Sequence, residues 1–139
     1  MSTAQALSVF STQVPQDQRC KQMHHHWGDR CVNLKMLVYG FMNRFNDAYN
    51  GGYWDFNITQ NSAFYISLST DKPVHLVNSL NFSSETMSAD AAGVVLTIFA
   101  CSYGLDKWPE DEAILNTFDL LMSVVGDHPE ASEIYRLLD

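Results

Sequence analysis

The chain holds 139 residues, 46% of them hydrophobic and 12% aromatic, and carries a formal net charge of −8. That content suffices for one folded domain and excludes a globally disordered chain. The charge excludes a direct grip on a phosphate backbone, which needs clustered lysine and arginine, and no run of about eighteen uncharged apolar residues marks a membrane span.

The charge is uneven. Residues 1–72 carry six basic groups against five acidic, and residues 73–139 carry two against eleven. Such an acidic half keeps a protein soluble, and it can also attract a basic, DNA-handling partner. The first ten residues lack the basic start and long apolar core of a signal peptide. Three cysteines, Cys20, Cys31 and Cys101, are an odd number without framework spacing. Reduced thiols in a cytoplasm are the expectation.

Residues 1–22 read as an N-terminal arm or loop. Within them Ala6 to Phe10 could form a short strand or lie on the core, and Pro15 to Gln22 reads as a loop. Residues 23–139 read as a single domain. Met23 to Gly28 holds three adjacent histidines, His24, His25 and His26, between Cys20 and Cys31. Adjacent residues project in different directions and zinc ligands come in spaced pairs, so a turn that buries Trp27 is the better reading than a metal site. From Cys31 to Tyr49 the residues Leu34, Leu37, Val38, Phe41, Phe45 and Ala48 recur at helical spacing. Asn50-Gly51-Gly52 is expected to stop that helix.

Alternation predicts strands over Tyr53 to Ile58, Ala63 to Leu68 and Val74 to Phe82. Short turns between them suggest an antiparallel meander. Ser83 to Thr86 then leads into a helix capped by Ser88, with Asp90 in its first turn. Ala92, Val95, Leu96, Phe99 and Tyr103 mark its buried face, and Val94 and Ile98 make it apolar almost all round. Gly104 is expected to end it. Pro109 is expected to open the next helix, with Ile114, Phe118, Leu121, Met122 and Val125 inward. A last helix spans Glu130 to Leu138. The reading is α+β: a small antiparallel sheet of about three or more strands packed with about four helices.

No catalytic constellation is evident. Ser62, Ser67, Ser88 and Ser102 lack a nucleophile-elbow setting. Cys101 lies in an apolar helix, where a thiol is ordinary packing. His75 and His128 have no evident nucleophile partner in the sequence, though tertiary contact could supply one. Asp106, Glu110, Asp111 and Glu112 lack calcium-loop spacing and suit a helix start instead. No cofactor is expected, and the chain does not read as an enzyme.

Five segments together resemble the ArdB/KlcA family of antirestriction proteins. Tyr49-Asn50-Gly51-Gly52-Tyr53-Trp54-Asp55-Phe56 is similar to the family's Tyr-x-Gly-Gly-aromatic-Trp-x-Phe. Asn61-Ser62-Ala63-Phe64-Tyr65-Ile66 resembles its Asn-Gly-Gly-Phe-Tyr-Met, with Ser62-Ala63 in place of Gly-Gly. Met87-Ser88-Ala89-Asp90-Ala91-Ala92-Gly93 resembles its signature, His128-Pro129-Glu130-Ala131 its closing helix, and His26-Trp27-Gly28 a His-Phe-Gly near its start. The resemblance covers residues 23–139. It implies a protein of mobile genetic elements that relieves type I restriction in the cytoplasm by non-enzymatic contact. The partner is then the host type I restriction-modification complex or an associated host protein, with neither direct nucleic-acid binding nor a membrane. The alternatives are an acidic DNA mimic or a His/Cys metal-binding protein. Candidate partner-binding residues are Tyr53, Asn61, Tyr65 and Asp90, taken as exposed polar and aromatic groups on loops and sheet faces.

Overall fold

The computed structural model describes residues 9–139. Its helices are α1 (Arg19–Trp27), α2 (Cys31–Phe45), α3 (Ala89–Lys107), α4 (Glu112–Val124) and α5 (Ala131–Leu138). Its strands are β1 (Ser11–Gln13), β2 (Trp54–Thr59), β3 (Phe64–Leu68), β4 (Val74–Asn78) and β5 (Ser83–Met87). They form two antiparallel sheets, one ordered β1-β2-β3 and one β4-β5. The α+β reading therefore holds. The three-strand meander does not: β4 leaves the first sheet and pairs with β5, Val74 opposite Met87 and Asn78 opposite Ser83.

α3 organises the core. Its buried residues run almost continuously from Ala89 to Cys101, with β3 on one side and α2, α4 and α5 around the rest. Its length and composition would suit a membrane span, yet 67% of that stretch is buried inside the protein. Ser88 caps it by accepting the Ala91 N–H at 3.1 Å, as the sequence predicts. The helix continues past Gly104 to Lys107. At Gly93 the backbones of α3 and β3 nearly touch. A Cβ there would lie 2.4 Å from the Ile66 carbonyl oxygen and 2.5 Å from the Ser67 Cβ. One turn later Thr97 accepts the Ile66 N–H at 3.4 Å, giving a buried polar group of β3 a partner.

Several expected boundaries shift. Residues 16–27, expected as a loop and a turn, form a 3-10 turn followed by α1, which buries only Met23 and Trp27. Trp27 donates to the Phe64 carbonyl at 3.1 Å, and Gly28 ends the helix at φ +74, which glycine adopts without a Cβ penalty. α2 stops at Phe45, before the expected Asn50-Gly51-Gly52. α4 starts at Glu112, where Asp111 accepts the Ile114 N–H at 3.0 Å; Pro109 lies in the turn ahead of it. The strand expected within Ala6 to Phe10 falls largely outside the described residues, and the strand observed is β1, paired Ser11 to Thr59 and Gln13 to Asn57. Cys20 is exposed, Cys31 and Cys101 are buried, and all three are free thiols.

The β4–β5 hairpin turns at Ser79 to Phe82. Asn78 accepts the Leu80 N–H and Asn81 accepts the Ser83 N–H, both at 3.1 Å. Both asparagine amides also donate to the Leu137 carbonyl, at 3.4 and 3.0 Å, which ties the tip to α5. Leu80 and Phe82 are left 76% and 95% exposed, and Phe82 stands at φ +59.

Candidate functional site

The first turn of α3 meets the loop before α5 in a chain of polar contacts. Asp90 is the centre. Its carboxylate accepts the Tyr65 hydroxyl at 2.7 Å on one oxygen and the His128 Nε2–H at 2.8 Å on the other. His128 Nδ1 accepts the Glu130 backbone N–H at 2.9 Å. An imidazole nitrogen that accepts carries no proton, so the ring is the neutral Nε2–H form, aimed at Asp90. Glu130 in turn accepts the Ser88 N–H at 2.9 Å and the Ser88 hydroxyl. Ser11 of β1 hydrogen-bonds the Tyr65 hydroxyl at 2.7 Å. Because Tyr65 donates to Asp90, Ser11 must be the donor there. Phe10 packs edge-on against both the His128 and Tyr65 rings, at 4.6 and 6.0 Å between centroids.

Two carboxylates sit here, and among the described residues no lysine or arginine is bound to either. Hydrogen-bond donors and the positive end of the α3 dipole hold them. Burial, followed by the Asp90 charge, pushes the Tyr65 phenol far above its ordinary range. Tyr65 is therefore a permanent donor at any physiological pH. The cluster pairs an acid with a histidine, yet it does not form a charge relay. The ring nitrogen that would activate a nucleophile is occupied by a backbone N–H.

The structure treats the four sequence candidates differently. Tyr65 is fully buried, which corrects the expectation that it lies on an outer sheet face; β1, Phe10 and His128 cover that face. Asp90 lies in the first helical turn as expected, but it also joins Tyr65 to His128, with its side chain 42% exposed. Asn61 belongs to the β2–β3 turn. It donates to the Leu120 carbonyl at 3.0 Å and the Ser123 hydroxyl at 3.1 Å, bracing the last turns of α4. Tyr53 is 82% exposed and stands apart from the cluster, lining a depression with Gln13, Arg19, Asp55 and Ser69. Sequence reasoning missed Ser11, Glu130 and His128 as members of the cluster. The latter two share the His-Pro-Glu-Ala segment, which was the available signal.

The turn beside Asn61 explains one departure from the family pattern. Ser62 stands at φ +70, where the pattern has glycine. Glycine enters that region freely, whereas serine is strained there. The turn keeps its shape without the bare residue, because Thr59 accepts the Ala63 and Ser62 N–H groups.

The histidine run lies along α1. His24 faces Asp29 at 3.4 Å, and His26 stacks on Phe64 at 5.5 Å. Among the described residues no group of three or more His, Cys, Asp or Glu side chains converges as a metal site.

Residues 47–139 match the family model described as antirestriction protein. An antirestriction protein KlcA of Escherichia coli is 30% identical over 138 residues, covering 94% of each chain. The uncharacterised protein YfjX of Escherichia coli strain K12 is 30% identical over 132 residues, covering 92% of this chain and 86% of its own. A solved structure also superposes with a TM-score of 0.84 at 28% identity, covering 93% of this chain and 94% of the other. It belongs to work on the KlcA and ArdB proteins, described as having a novel fold and antirestriction activity against type I DNA restriction systems in vivo but not in vitro.

Proposed function

The chain belongs to the antirestriction protein family, and on that premise we propose that it relieves type I restriction inside the host cell by non-enzymatic protein contact. The observation that carries this reading is the near-complete superposition on the KlcA/ArdB fold, with the Ser88-Ala89-Asp90 and His128-Pro129-Glu130 segments folded into one cluster. The partner is the host restriction-modification complex or a host protein that acts with it, and the compartment is the cytoplasm. The activity reported for KlcA and ArdB in vivo but not in vitro favours a partner supplied by the cell. The occupied nitrogens of His128 favour contact over catalysis. DNA mimicry is disfavoured because its acids should stand free in an array. Here five of the eleven acids in residues 73–139 are tied to other side chains, Glu85 and Glu133 to Arg136, Asp90 to Tyr65 and His128, Asp111 to Arg30 and Glu130 to Ser88, which breaks up such an array.

The test is the plating of unmodified phage on cells with a type I system, with and without this protein. Plating should rise toward that on restriction-deficient cells, while the purified chain leaves DNA cleavage by the purified enzyme unchanged. Unaltered plating would reject the proposal.

A further inference from the structure

Glycine inside a helix destabilises it relative to alanine, so a helix-interior glycine needs a reason. At Gly93 the reason lies within the molecule. Gly40, in the middle of α2, has none: it is exposed, and a Cβ there would meet nothing within 4 Å. It forms the floor of a shallow groove of about 220 Å3 between α2 and α3, lined by Met36, Leu37, Phe41, Arg44 and Tyr103. Met36 is 58% exposed, and Val32, one turn before it, is 57% exposed. An apolar strip with a pliant methionine, an aromatic wall and a missing Cβ midway suits close approach by another helix.

Charge selects the occupant. Arg44 is the charged residue that lines the groove, and α2 contains no acidic residue, within a chain of net charge −8. Arg44 forms no salt bridge among the described residues. Two copies docking α2 on α2 would set the same cations against each other, which disfavours a dimer through this face. The net negative charge likewise disfavours an anionic membrane. We propose that the α2–α3 groove docks an acidic amphipathic helix of a partner protein, its backbone crossing α2 at Gly40 and a carboxylate meeting Arg44. This rests on the reading that restriction is relieved by protein contact, and it names the face that makes the contact.

Two measurements separate the two ideas. In the first, a helical peptide of repeating Ala, Leu and Glu and its Lys-for-Glu counterpart are titrated into the protein, with the Met36 methyl followed by NMR. The Glu peptide should shift that methyl and saturate, and the Lys peptide should bind at least about tenfold more weakly. Gly40→Trp, whose Cβ would meet nothing within 4 Å, should fill the groove and abolish the shift. Arg44→Glu, an exposed change, should weaken binding about tenfold. In the second, phage plating should show restriction relief lost in both variants, at thermal unfolding midpoints that show both still folded, but kept in Leu115→Gln on the exposed face of α4. Equal binding of both peptides, or of neither, would overturn the proposal. So would a folded Gly40→Trp with full relief, a dimer that Gly40→Trp dissolves, or binding of phosphatidylglycerol vesicles through this face. If the wild-type chain gives no relief while the peptide measurements succeed, the functional reading fails and the groove stands.

Discussion

At the head of α3 the polar side chains of Ser88, Asp90, Tyr65, His128 and Glu130 all face one another. At the tip of the β4–β5 hairpin, Leu80 and Phe82 point into solvent although two asparagines and the Leu137 carbonyl hold the turn beneath them. The first region carries the family's most specific motifs and uses them to join distant parts of the fold. The second carries no motif and displays apolar groups that the fold does not use. Motif density therefore marks where this architecture is held together. A contact surface is to be sought where side chains lack an internal purpose, as at the hairpin tip and the groove floored by Gly40.

The largest effect should follow at Gly93. A Cβ 2.4 Å from the Ile66 oxygen must displace backbone, so Gly93→Ala should cost about 3 kcal/mol or more in urea denaturation. Gly93→Leu should yield no folded protein. A folded, stable Gly93→Leu that had lost only antirestriction would break the comparison, because the motif would then be a contact site. Asp90→Ala comes next. It leaves the buried His128 N–H without an acceptor and the Tyr65 hydroxyl with Ser11 alone, at a cost of about 1–3 kcal/mol. A double-mutant cycle with Tyr65→Phe should show strong coupling.

Alkaline pH probes the same cluster more gently. The Tyr65 phenol is raised in the folded state above its ordinary 10.0, chiefly by burial. The unfolded chain therefore releases this proton first. The stabilisation is complete below pH 10 and is lost as pH rises above it, by at most about 1.4 kcal/mol per pH unit. Tyr65→Phe should flatten that decline in stability measured from neutral to strongly alkaline pH. The smallest effects belong to the hairpin. Leu80→Ser should change stability by no more than about 0.5 kcal/mol. Phe82→Gly relieves a left-handed residue and should raise stability by at most about 1 kcal/mol.

The sequence revealed elements in proportion to how much apolar surface each buries. α2 and α3 bury repeated apolar residues at helical spacing, and both were legible. α1 buries only Met23 and Trp27 in nine residues, too thin a pattern to read. β5, Ser83–Met87, is polar except for one buried methionine, so it passed for a connection. Leu80 and Phe82 extended the alternation of β4 across a turn, because apolar character usually signals burial and here does not. The cluster around Asp90 was half legible. Its helix-start role follows from local chemistry, but Asp90 and His128 are 38 positions apart. Only the fold brings them together.

The thiols divide the molecule in another way. Cys20 lies exposed on α1, whereas Cys31 and Cys101 are buried and burial holds the Cys101 thiol well above its ordinary range. To a thiol-selective reagent the folded protein thus offers a single thiol, and the unfolded chain offers three. A maleimide dye places one reporter on α1 without any mutation, and its labelling stoichiometry counts unfolded molecules directly.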